Sequence, residues 1–382
     1  MYTGPAISFP SALRLLPDDL SGILYTATLK ATYNGIPLLA AELLSNLSEG
    51  AIVKELLALL TSKTQSLTGR KVQLTGHLTS KSQVTQALLN LLSDSFYSVG
   101  DDDLKSFVAS LEGMRITDRV VLFEGAFSGA VCLDVTRPLE YSRAKQLASL
   151  APQHIAGLGL GVGHALANLG VAADITPAVA DHYLGWLAMD AYGMHDGYFN
   201  WFDRVHEMKT PEGLPPFAAE AFDQGLGRAL WFIAGSDWRI IEQLVERFSY
   251  NRRFSLWRGI GLMAGFWGAE DEQQLKKLFK AASTFRPFFQ QGAAQAVCMR
   301  FDMDDVADHN DSAAKLICGG STSEVADLAR TRMEKFAGEV LDSKVYFSWQ
   351  NELVDFFSES ATSKKKTNAT KYNTRRFLLD TP

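Results

Sequence analysis

Apolar residues recur at helical spacing along most of the chain, and runs of strict two-residue alternation are hard to find. Segment 101–112, DDDLKSFVASLE, opens on acidic residues suited to a helix N-terminus and continues with Leu104, Phe107, Val108 and Leu111 on one face, which predicts a short amphipathic helix. Pro177 suits the first turn of a helix through HYLGWLAMDAYG, and Pro215-Pro216 precede another, FAAEAFDQGLGRALWFIAG, ended by Gly235. Between Ser11 and Leu92 the apolar runs are again helical, interrupted near Arg70 to Ser80 by RKVQLTGHLTS, which can be extended. The pattern predicts a mainly α protein: a helical bundle with an N-terminal accessory layer that can hold a few short strands. Its expected divisions are an accessory region over 1–118, a helical core with the site over 119–357, and a polar tail over 358–382. No internal repeat of fixed period stands out.

The segment Ile155 to Ala173, IAGLGLGVGHALANLGVAA, is uncharged and about long enough to cross a bilayer, but its glycines lower its hydrophobicity. Gly157, Gly161 and Ala165 form one stripe at four-residue spacing, and Gly159, Gly163 and Ala167 another. Such stripes let a neighbouring helix approach closely, so the expectation is a buried core helix and no stable membrane insertion.

Composition narrows the function classes. Of 382 residues, 47% are hydrophobic and 21% charged, an ordinary globular balance that argues against a disordered chain. A net charge of -6 leaves no electrostatic footprint for nucleic acid or an anionic membrane. Three scattered cysteines suit a reducing compartment, and Met1 to Asp19 lacks the basic-then-apolar pattern of an export signal, so the cytoplasm is expected.

The densest chemical signal is FDMDDVADHND, in which Asp304, Asp305 and Asp308 spell D-D-x-x-D. On one helix, carboxylates at i and i+4 share a face and repel unless a cation lies between them. Magnesium held by such aspartates would neutralise a departing diphosphate; the competing reading is a solvated, helix-capping acidic turn. Charge is also embedded in apolar text at AMDAYGMHDGYF and AFDQGLGRALWF. Asp190, His195, Asp223 and Arg228 must therefore pair with one another or meet a ligand, and a structural ion-pair network is the alternative. His195, Asp223 and Arg228 are expected around one concavity. GLGLGVG at Gly157 to Gly163 does not fit the dinucleotide fingerprint, and no P-loop, G-x-S-x-G or H-E-x-x-H occurs.

The strings LFEGAF (122–127), MDAYGMHDGYF (189–199) and FDQGLGRALWF (222–232) resemble a family of unknown function associated with enediyne polyketide gene clusters; SLWRGIGLMAG and QGAAQA add weaker matches. The resemblance implies a specialised-metabolism protein and singles out Glu124, His195, Asp223, Gln224 and Arg228. A fainter similarity is to the atypical fungal humulene synthases, class I terpene cyclases without the usual two-motif signature. The resulting expectation is a magnesium-dependent cyclase of an isoprenyl diphosphate such as farnesyl diphosphate. Arg228, Arg258 or Arg300 would clamp the diphosphate, and Trp186, Phe199 and Trp231 would face passing carbocations. The alternative is an accessory protein that holds an apolar polyene intermediate of a polyketide pathway. A homodimer is compatible with either.

Overall fold

The computed structural model describes residues 99, 103–114, 116–136, 143–169, 187–212, 214, 216–269, 271–336 and 346–360. All of their regular structure is helical, as expected, and no strand occurs among the described residues. The elements are α1 (Leu104–Glu112), α2 (Ile116–Thr136), α3 (Arg143–Leu150), α4 (Ile155–Leu169), α5 (Leu187–Phe199), α6 (Pro216–Ile233), α7 (Trp238–Glu246), α8 (Tyr250–Trp267), α9 (Glu272–Ala281), α10 (Arg286–Asp302), α11 (Asp308–Ala313), α12 (Thr322–Glu334) and α13 (346–360). The possible strands of the N-terminal layer, the helix start expected at Pro177 and residues 361–382 of the expected tail lie outside the described residues, while residues 358–360 of that tail are helical.

Local sequence sets many helix starts. The Asp103 carboxylate accepts from Ser106 N, Asp237 from Arg239 N and Asp271 from Gln274 N, each satisfying an otherwise orphaned donor of a first turn. Ser321 and Glu324 form a reciprocal capping box ahead of α12. The glycine-rich α4 is buried over most of residues 155–164, as its stripes predict, and no helix of the described residues is long and apolar enough to cross a membrane.

The long helices α2, α4, α5, α6, α8, α10 and α12 pack side by side in chain order, each against the next. Gly193 and Gly197 of α5 meet Phe222 and Leu226 of α6, and Gly261 and Gly265 of α8 meet Phe289 and Ala293 of α10. Contacts that climb both helices together define parallel neighbours. Parallel packing requires a return path, which the short helices α7 and α9 and the π-turn Ala314–Cys318 supply as an adjoining second layer. The apolar core lies between these two layers.

The stack contains the internal repeat that the sequence conceals. A Cβ at Gly225 would lie 1.7 Å from Asp190 O, at Gly259 1.8 Å from Gln224 O, and at Gly292 2.0 Å from Arg258 O. In each case the glycine lies on the carbonyl of the residue that occupies the preceding position of the repeat. Asp190, Gln224, Arg258 and Gln291 are thus equivalent, 34, 34 and 33 residues apart, and all are buried. The spacing is nearly constant, but only the glycine contact recurs while the residues between differ in composition, so no repeated string marks the period in the sequence.

Candidate functional site

The equivalent positions put polar side chains along one face of the stack, where they meet α2 from one side and α13 from the other. At the centre lies Arg228, buried, ion-paired with Asp190 and 3.7 Å from Glu124 Oε1. Glu124 bonds in turn to His164 Nε2 at 2.5 Å, and the His164 ring stands edge-on to His195 with centroids 6.0 Å apart. His195 and Phe199 are half-buried and adjacent, with ring centroids 4.5 Å apart.

The two carboxylates around Arg228 have opposite tendencies. Burial pushes the Asp190 carboxyl above the ordinary aspartate range, against the pull of Arg228. Glu124 is equally enclosed, and desolvation pushes it up, but His164 and Arg228 together bring it below its usual value. Pairs of titratable groups driven apart by their surroundings are the arrangement that acid–base chemistry uses.

Polar contacts continue from Asp190 towards α13. Gln224 donates to the Tyr346 hydroxyl at 3.3 Å, and Gln350 donates to Gln224 at 2.9 Å and to Gln295 at 3.3 Å. Gln291 donates to Gln295 at 3.0 Å, and burial pushes the Tyr346 phenol up to about 12. Arg258 donates to Gln350 at 3.2 Å and to Asn351 at 2.6 Å.

Five expected site residues, Glu124, Asp190, His195, Gln224 and Arg228, therefore belong to one region together with Arg258. Asp223 does not join them. Its carboxylate forms a two-pronged pair with Arg252, at 2.8 and 2.5 Å, and Arg252 also donates to Met208 O. The expected meeting of Asp223 with His195 and Arg228 is corrected accordingly: Asp223 and Gln224 are neighbours in sequence but about 100° apart around the helix. Trp231 is buried in the two-layer core, and Trp186 lies outside the described residues.

Arg300 stands apart as well. It is fully enclosed, donates to Phe266 O and Asp305 O, and lies over the rings of Phe266 and Trp267 at 5.6 and 5.1 Å. Desolvation lowers its guanidinium to about 10. This contact ties the C-terminal ends of α8 and α10 together.

The aspartate triplet does not share a helix face. Helix α10 ends at Asp302, Asp304 turns the chain with a φ of 54°, and Asp308 begins α11. Asp304 and Asp308 are exposed, whereas Asp305 is buried, 3.4 Å from Arg119. Among the described residues no group of three or more His, Cys, Asp or Glu side chains is arranged to hold a metal ion. These aspartates do not fit magnesium as placed.

Burial pushes Asp305 up to about 6, against Arg300 and Arg119. A carboxyl raised in the folded state binds its proton more tightly there than in the unfolded chain, so its contribution to stability falls as pH rises from about 4 to about 6. Asp305→Asn removes that dependence. The variant is expected to melt at or above the wild-type temperature at pH 7 and to show a flatter melting profile between pH 4 and 6. A marked loss of stability at pH 7 would show instead that the attraction between Asp305 and Arg119 outweighs the cost of burying the carboxylate.

His164, Tyr346, Gln350 and Asn351 were not legible as site residues. For His164 a signal existed: L-G-V-G-H-A at 160–165 matches Q-G-L-G-R-A at 224–229, which aligns His164 with Arg228.

The fold and site define a two-layered, all-helical protein with a glycine-spaced helix stack and a charged interior face. The chain belongs to the family described as Protein of unknown function (DUF1702), whose model matches residues 50–357. No curated protein and no solved structure matches it.

Proposed function

We propose that this chain is a specialised-metabolism enzyme that ionises and cyclises an isoprenyl diphosphate such as farnesyl diphosphate, and that cyclisation takes place beside the Arg228 cluster. The observation that carries this reading is the burial of Glu124, His164, Asp190 and Arg228 together on the polar interior face of the stack. Helix packing alone does not need them, because buried ion pairs are often no more stabilising than apolar groups of similar volume. Cost without a folding benefit marks a group retained for ligand or reaction.

His195 and Phe199, half-buried at the edge of the cluster, form its accessible side. A carbocation passing there would meet the Phe199 ring face, and the His164–Glu124 pair would accept the proton lost on quenching. The faint resemblance to the humulene synthases favours the isoprenyl substrate, whereas the resemblance to a family of enediyne clusters favours the polyketide alternative below. Magnesium belongs to this reading as the partner of the diphosphate, without assigned protein ligands.

The second reading, an accessory protein that holds a polyene intermediate, is favoured by one observation: Arg228 is committed to two carboxylates and is not free to clamp a diphosphate. Incubating the protein with farnesyl or geranylgeranyl diphosphate, with and without magnesium, separates the two. Pyrophosphate release with a hydrocarbon or terpene alcohol product is expected; binding without turnover for every isoprenyl chain length would leave the accessory reading in its place.

A further inference from the structure

We propose that Arg258 is the anion-recognition point of this site, receiving the oxyanion head of a ligand whose apolar chain runs beside the aromatic group Tyr250, Phe254 and Phe288. The inference deepens the reading above and rests on it for the apolar part of the ligand.

Arg258 differs from Arg228 in its partners. It is 5% exposed, yet its hydrogen bonds go only to the neutral amides of Gln350 and Asn351, and its Nε has no partner. Among the described residues no carboxylate forms an ion pair with it; Glu220, exposed on α6, acts on it only through space. Desolvation accordingly pulls its pKa below the ordinary arginine value. A buried guanidinium without a counter-charge is costly to maintain, and an incoming anion would supply the missing charge.

Access and selectivity follow from the surroundings. Asn351, the acceptor at the tip of the guanidinium, is exposed, so the charged end comes close to solvent beside α13. On the other side the guanidinium lies over the Phe288 ring at 5.2 Å, and Phe288, Phe254 and Tyr250 form a connected group with centroid separations of 4.8 and 5.2 Å. Tyr250 is 60% exposed. A planar donor fork beside an exposed aromatic surface suits a molecule with an anionic head and an apolar chain. A diphosphate or carboxylate would reach it from the Asn351 end, where the group it displaces is an exposed, neutral amide.

The test measures binding of farnesyl diphosphate, farnesol, farnesoic acid and inorganic pyrophosphate to the full chain by calorimetry. Wild type should bind farnesyl diphosphate at least about tenfold more tightly than farnesol, the ratio expected of one charge-assisted contact. Arg258→Gln should erase the difference and leave farnesol binding unchanged. Asn351→Asp supplies the missing counter-charge within the protein, so it should hold or raise the melting temperature while weakening anion binding, which keeps the test valid if Arg258→Gln fails to fold. Farnesoic acid binding more tightly than the diphosphate would identify a carboxylate ligand, with Arg258 still the receptor. Equal affinity of wild type for farnesyl diphosphate and farnesol, or full anion affinity in Asn351→Asp, overturns the role of Arg258 but leaves an apolar-ligand site standing. Binding of inorganic pyrophosphate alone, with no affinity for the isoprenyl chain, would instead retire the substrate reading and keep the anion site.

Discussion

Replacing Arg228 by methionine is expected to destabilise the fold by about 3–5 kcal/mol, the cost of leaving buried charge without its partner. Arg228 holds Asp190 and Glu124 together, both buried, and among the described residues no second cation is positioned to replace it between them. His164 is the nearest cation-forming group described, and it bonds Glu124, not Asp190. Arg228→Lys should recover only part of the loss, because an ammonium lacks the fork that spans two carboxylates. Denaturant titration of the two variants measures both effects, and a methionine variant within about 1 kcal/mol of wild type would mean that Asp190 and Glu124 take up protons at little cost.

Gly225→Ala is the second large effect, and its sign is set by competition. Alanine gains about 1 kcal/mol of helix propensity over glycine. The added Cβ, however, would lie 1.7 Å from Asp190 O, which is backbone and cannot rotate away. Helices α5 and α6 would have to separate, so a net loss of at least about 1–3 kcal/mol is expected, as for an overpacked core. Gly161→Leu acts likewise between α2 and α4, where its Cβ would meet Ser128 N at 2.6 Å. Gly113→Ala is the control: its Cβ would meet nothing nearer than 3.4 Å, and φ there is −73°, so that variant should hold or slightly gain stability. A Gly225→Ala protein that melts with wild type would refute the close packing of the stack.

The helical class was legible because helix starts and stops are local. The acidic residues before Leu104 led to the Asp103 cap, and the proline pair before Phe217 led to α6. The close approach at Gly161 was also legible, since small residues at four-residue spacing have one common use. The order of helices was not, because it depends on which stripe meets which. For the same reason Glu124, Asp190 and Arg228 could be nominated as buried charges, but their mutual pairing could not be read. Asp223 misled because one residue of offset around a helix decides the neighbour: it meets Arg252, while Gln224 meets Tyr346 and Gln350. The D-D-x-x-D text misled for a different reason. Its spacing carries meaning only on a continuous helix, and the left-handed backbone at Asp304 ends that helix first.

On the proposed function, the charged cluster is retained for a ligand and not for the fold. The most direct measurement is the melting temperature of a triple variant, Glu124→Met with Asp190→Leu and Arg228→Met, set beside Arg228→Met alone. If the cluster serves a ligand, apolar groups of similar volume will restore the packing, and the triple variant will melt near or above wild type while the single variant melts far below. A triple variant that melts as low as the single one would show that the network itself holds the helices together and is not retained for a ligand.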